Sequence, residues 1–190
     1  FRLPQGLGLS DTGGMRRLLG LPAALVVLAL ASPALATPPV ERTITDPTEP
    51  HKAYDIVSVT LKAAPAAGRK AQVTVVHARR VQVGDAVDVW VDTDDDRVPD
   101  LFITGVSFSE YGVYRARGWD RHHQDITDRG CASMGMRGTK TVVRFDPSCL
   151  APSERFSVSV RSYGQQVPAG RDDYVPRPER LTKKVLSYAS

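Results

Sequence analysis

The chain has 190 residues, with 25 Lys and Arg against 21 Asp and Glu and a formal net charge of +4. That length suits a single domain behind a leader and is enough to bury a real core. The small positive surplus comes without any Lys/Arg cluster interleaved with aromatics, so nucleic acid is excluded as the expected partner.

Residues 1–14 show no periodic pattern and read as an extension ahead of the true start at Met15. Met15-Arg16-Arg17, an apolar run from Leu18 to Ala31 and Ser32-Pro33-Ala34-Leu35-Ala36 follow in the order of a secretory signal peptide cleaved after Ala36. The apolar run is shorter than the ~20 residues a membrane span needs and contains Gly20 and Pro22, so no membrane insertion is expected after cleavage. Cleavage removes Arg2, Arg16, Arg17 and Asp11, leaving 154 residues of net charge +2 that would be secreted to the extracellular space.

The stretch 37–53, with Pro38, Pro39, Pro47 and Pro50, reads as a flexible or extended leader in which proline limits any strand to the periphery. The domain proper is expected over 54–190. Val57, Val59 and Leu61 alternate with Ser58 and Thr60, predicting a half-buried strand over 55–62. Further strands are predicted over 72–77, 86–91, 101–106, 112–116, 140–145 and 155–162, with a last edge strand within 181–188. The segment 117–130 reads as polar and turn-rich. Seven or eight short strands with turn signals about every ten residues predict an all-β fold, an antiparallel β-sandwich of jelly-roll-like kind.

Between the strands at 86–91 and 101–106, five aspartates fall within the nine positions from Asp92 to Asp100. Asp92, Asp94, Asp96 and Asp100 occupy positions 1, 3, 5 and 9 of a calcium-type loop, and Val98 occupies position 7, which contributes a backbone carbonyl. Arg97 stands where an EF-hand has its turn glycine and Ile103 where it has a bidentate glutamate. With no helical pattern on either side, an EF-hand is excluded. The spacing resembles instead the D-x-D-x-D loops of extracellular calcium modules such as thrombospondin type 3 repeats. Calcium is the cofactor expected, and the competing reading is a solvated turn in which aspartates bond nearby backbone N–H groups.

Two cysteines in an exported chain, Cys131 and Cys149, read as one disulfide. Nothing forms a C-x-x-C pair, so zinc and redox roles are not indicated.

Several short stretches resemble a group of small secreted actinobacterial proteins: Asp55-Ile56-Val57-Ser58-Val59, Trp90-Val91-Asp92-Thr93-Asp94 with Pro99-Asp100, Gly118-Trp119, Cys149-Leu150, Arg155-Phe156-Ser157-Val158 and Asp173-Tyr174-Val175-Pro176. The resemblance implies a secreted β-sandwich similar in outline to carbohydrate-binding or pre-peptidase accessory domains, and it supplies no catalytic residues.

Three functional classes follow. The first is a non-catalytic calcium-dependent module for a carbohydrate or other cell-surface ligand, with Tyr111, Tyr114 and Trp119 as stacking surfaces or, alternatively, as core packing. The second is an exported interaction factor or protease inhibitor presenting the 132–138 segment beside Cys131. The third is a secreted hydrolase using His122 or His123 with Asp120 or Asp125. His51 and His77 stand isolated, and no G-x-S-x-G or H-E-x-x-H motif is present.

Overall fold

β-branched residues at every second position put one apolar face on each strand, and two such sheets must cover each other. The computed structural model describes residues 38–168 and 170–189, without the side chains of Arg121 and His122. The expected signal peptide and the extension before it lie outside the described residues. Among those described there are twelve strands, more than the seven or eight expected: β1 (Glu41–Thr45), β2 (Ile56–Lys62), β3 (Ala71–His77), β4 (Asp85–Asp92), β5 (Leu101–Val106), β6 (Tyr111–Arg117), β7 (Asp120–Asp125), β8 (Ala132–Arg137), β9 (Lys140–Phe145), β10 (Arg155–Gly164), β11 (Asp173–Val175) and β12 (Val185–Leu186).

They form two antiparallel sheets. One runs β1-β2-β3-β9-β8, and the other β11-β10-β4-β5-β6-β7 with β12 also pairing β10. Val87, Val89 and Val91 of β4, Leu101 and Ile103 of β5 and Phe156, Val158 and Val160 of β10 share one buried core with Val59, Leu61, Val73, Val75, Val143 and Phe145 of the other sheet. Phe145 meets Phe156 edge to face, with centroids 5.1 Å apart, and joins the two layers.

The additional strands lie where apolar alternation is weak. Within the proline-rich leader, Glu41–Thr45 pairs with Thr45 opposite Ser58 as a peripheral strand. The polar segment 117–130 contains β7, an edge strand on β6. The 132–138 segment is not a projecting loop: 132–137 is β8, paired in full register with β9. The last expected strand shortens to Val185–Leu186.

Cys131 precedes β8, Cys149 follows β9, and the two are disulfide-bonded with Cα atoms 5.6 Å apart. The bond closes the open end of the β8–β9 hairpin, where Asp146 N–H also donates to the Cys131 carbonyl at 2.8 Å. No helix among the described residues is long and apolar enough to cross a membrane. Replacing both cysteines by serine should lower unfolding free energy by ~3 kcal/mol on the chain-entropy account, read from denaturant unfolding with the m-value fitted separately for each form.

Candidate metal centre

The acidic loop closes the β4–β5 hairpin, and strands hold its neck on both sides. Asp92 ends β4 opposite Ser157 of β10. Asp100 donates its N–H to the Val91 carbonyl at 2.9 Å, and its own carbonyl accepts the Ala116 N–H at 2.7 Å. Thr93 ties the neck shut by donating its N–H and its hydroxyl to Asp100 Oδ2 at 2.8 and 2.9 Å. Asp92 is almost fully buried. Its Oδ2 accepts the Ser157 hydroxyl at 3.1 Å and its Oδ1 the Asp95 N–H at 2.9 Å.

One carboxylate oxygen each of Asp92, Asp94 and Asp100 lies within 4.8 Å of the others. That spacing suits a hard cation with ligand distances of about 2.3–2.6 Å. The remaining two aspartates are sorted elsewhere. Asp96 Oδ1 accepts the Val98 N–H at 2.6 Å and so shapes the turn. Asp95 carries ion pairs to Arg155, at 3.6 Å, and to Lys184. Thus three of the four aspartates proposed from spacing converge, while Asp96 acts as a turn residue. Val98, placed in the ligand set by its carbonyl, is 46% exposed.

The backbone resolves the mismatch at position 6. Arg97 has φ of 72° and Asp95 of 74°, both in the left-handed region that favours glycine. The loop therefore makes the glycine-type turn with an arginine in place. At position 6 the departure from the calcium-loop pattern is therefore one of residue type, whereas at position 5 Asp96 turns away from the group.

Burial is the main cause that raises the Asp92 carboxyl above its ordinary range. The Ser157 hydrogen bond opposes it, and the charges of Asp100, Asp94 and Asp96 add to it. Asp100 is also raised, by burial and then by Asp94 and Asp96, against the two bonds from Thr93. Among the described residues no Lys or Arg forms an ion pair with Asp92, Asp94 or Asp100: Arg155 and Lys184 engage Asp95, and Arg97 reaches the Thr182 carbonyl at 3.5 Å.

The three aromatic candidates separate. Tyr111 packs against the core, whereas Tyr114 and Trp119 are half-buried on the opposite side of the sheet. There Trp90, Phe102 and Tyr114 stand in register across β4, β5 and β6, with Trp90–Phe102 centroids 5.1 Å apart. Trp119, in the β6–β7 turn, meets Trp90 at 5.8 Å. This turn is bonded to the acidic loop through Gly118 N–H and the Pro99 carbonyl at 3.1 Å.

Among the described side chains, no histidine is seen paired with an orienting carboxylate on β7. His123 is exposed on β7, Asp125 Oδ1 accepts both the N–H and the hydroxyl of Thr127, and the side chain of His122 lies outside the described residues. His77 is buried, stacks on Tyr54 with centroids 3.6 Å apart and lies 3.1 Å from the Thr141 hydroxyl. Burial pushes its pKa down to about 4, which makes it a neutral core group at neutral pH.

A second acidic group, Asp46, Glu49 and Asp173, went unseen in the sequence. Its only local signals are Asp46-Pro47 and the Asp172-Asp173 pair. No protein-family model, curated protein or solved structure matches the chain.

The raised carboxyls set the sign of a test. The native state holds protons on Asp92 and Asp100 that the unfolded chain has already released, so these groups lower stability as pH rises from the ordinary carboxylate value through their raised values. In chelator at neutral pH, Asp94→Asn should therefore raise the melting temperature by removing one of three repelling charges. In calcium, which needs the ionised ligands, the same change should lower it. His77 contributes the opposite slope between about 4 and 6.5, but it does so in both proteins and drops out of the comparison.

Proposed function

We propose that the protein is a secreted, non-catalytic β-sandwich module that binds calcium through the β4–β5 loop and presents a carbohydrate or other cell-surface ligand to the aromatic row beside it. The observation that carries the reading is the convergence of Asp92, Asp94 and Asp100 within 4.8 Å with no Lys or Arg ion pair to any of them among the described residues. A hard cation with oxygen ligands would relieve the mutual repulsion of these groups and the burial of Asp92 and Asp100. Export fits the disulfide, since such bonds persist in oxidising compartments.

The aromatic row extends the reading to a ligand. Tyr114 and Trp119 offer part of each ring on a sheet face, the arrangement that stacks on sugar rings. The Pro99–Gly118 hydrogen bond couples the Trp119 turn to the calcium loop. Calcium would then act by fixing the turn, so ligand retention would depend on the metal without the metal touching the ligand. The interaction-factor alternative no longer has the loop assigned to it, because that segment is β8.

Thermal unfolding in millimolar calcium and in chelator tests the metal. A ligand at a hundredfold excess over its Kd stabilises by about 2.7 kcal/mol, which for a domain of this size is about 5 to 10 °C. Asp94→Ala should abolish the shift. An absent shift in the unaltered protein would reduce the loop to a solvated turn.

Retention on insoluble polysaccharides and glycan arrays tests the ligand face. Trp119→Ala should abolish retention and leave the calcium-induced shift in place, and chelator should weaken retention by the unaltered protein. Glycan retention unchanged by Trp119→Ala would remove the aromatic row from the reading.

A further inference from the structure

The segment between β1 and β2 folds back over β11 and brings acidic residues from both ends of the domain together. Asp46 N–H donates to the Val57 carbonyl at 2.8 Å, and Ala53 N–H to the Arg171 carbonyl at 3.0 Å. Ile56 N–H donates to Asp173 Oδ2 at 2.6 Å and Tyr174 N–H to its Oδ1 at 2.8 Å, so the Asp173 carboxylate is fixed at the floor. One oxygen each of Asp46, Glu49 and Asp173 lies within 4.8 Å of the others. They line an open cleft of about 600 Å³ together with Lys52 and Asp172.

A separate observation lies beneath this group. Asp55 is only 6% exposed, and its Oδ2 has no hydrogen-bond partner. Its Oδ1 accepts the Glu49 N–H at 3.0 Å. That bond, and the bond from the next residue, Ile56, to Asp173, set Asp55 directly beside the cluster, although it is not one of the three carboxylates that meet within 4.8 Å. A buried carboxylate oxygen without a donor is uncommon in folded proteins and calls for an explanation such as an ion.

The neighbouring cations do not supply one. Arg161 is taken by Asp172 at 2.6 Å and Asp88 at 3.4 Å. Lys52 lies 3.8 Å from Glu49 Oε2 and donates to the Asp172 carbonyl at 2.9 Å. His51 lies 3.7 Å from Glu49 Oε1. One ammonium, the Arg177 guanidinium that lines the cleft and one exposed imidazole thus face four carboxylates. Burial, followed by the charges of Asp173, Glu49 and Asp55, pushes the Asp46 carboxyl up to about 6, and Asp173 is raised by burial first.

We propose that this cleft is a second hard-cation site, taking a calcium-like divalent ion on Asp46, Glu49 and Asp173, with Asp55 completing the charge beneath them. The all-oxygen donor set and its spacing select a hard divalent cation over zinc or copper. The site is independent of the β4–β5 loop. Asp173 pairs with Ser162, and Ser162 with Val87, five residues along β4 from Asp92, which is roughly 17 Å.

Calorimetric titration of the whole protein with calcium chloride separates the two sites. The variants are Asp94→Ala, the pair Asp46→Asn with Glu49→Gln, and all three together. Asp46 and Glu49 are only half-buried and leave the Asp55 and Asp173 backbone contacts in place, and an unchanged circular dichroism spectrum checks the fold. Should the pair unfold the protein, Asp46→Asn alone takes its place.

The unaltered protein should take up two ions. Asp94→Ala should keep one, whose affinity falls about tenfold or more when Asp46 and Glu49 are neutralised, as loss of ligand charge requires. One ion lost only with Asp46 and Glu49 would support this cleft and count against the loop. One ion lost only with Asp94, or uptake by Asp94→Ala that ignores the Asp46/Glu49 pair, would overturn the second site. No uptake by any form would overturn it as well.

Discussion

The central constraint on this protein is that β4 is buried on both faces. Its inward valines belong to the core, but Ala86, Asp88, Trp90 and Asp92 on the other face are buried as well. Two carboxylates thereby lose water and must be satisfied by neighbours. Asp88 accepts the Thr104 hydroxyl at 2.6 Å and faces Arg161, and Asp92 accepts Ser157 and the Asp95 N–H. Arg161 reaches on to Asp172, the residue before Asp173. The satisfaction of one strand's outer face therefore positions acidic groups at both of its ends.

Electrostatic sorting explains why five aspartates give a three-carboxylate centre. Arg155 and Lys184 draw Asp95 away, Asp96 closes a turn on Val98, and the remaining three meet at the neck of the hairpin. The neck is rigid because it is built on β10, β5 and β6 and not on the loop itself. Flexible carboxylates would separate, whereas these are held against their repulsion by backbone and hydroxyl donors. The Pro99–Gly118 bond makes the same neck a support for Trp119. The acidic and aromatic features, which are separate in the chain, are thus one structural unit.

Most of the sandwich was legible because its core strands alternate. Val57/Val59/Leu61, Val87/Val89/Val91 and Phe156/Val158/Val160 each reveal an inward face, and the observed strands begin and end within two residues of the expected ones. β7 was hidden because Asp-Arg-His-His-Gln-Asp carries no apolar alternation, and β8 because Gly135 breaks up its methionines. The split of Tyr111 from Tyr114 follows from strand parity. Their nearness in sequence concealed that they face opposite sides. Arg97 gave no sign of its left-handed backbone, since arginine has no preference for it. The second acidic group joins residues more than a hundred positions apart, and no local pattern records such a meeting.

The polarity that hid β7 also has a consequence for how molecules meet one another. A sheet ending in a free strand offers unpaired backbone groups to any passing chain, and an apolar ending would invite a second copy to extend the sheet. β7 ends the seven-stranded sheet with two aspartates, an arginine and two histidines over six residues. At the far side of the other sheet, β1 carries Glu41 and Arg42 behind Pro38 and Pro39. Both margins are poor templates for further pairing. The sandwich can thus leave a row of aromatics partly open on one face while the β7 and β1 margins discourage fibre-like growth.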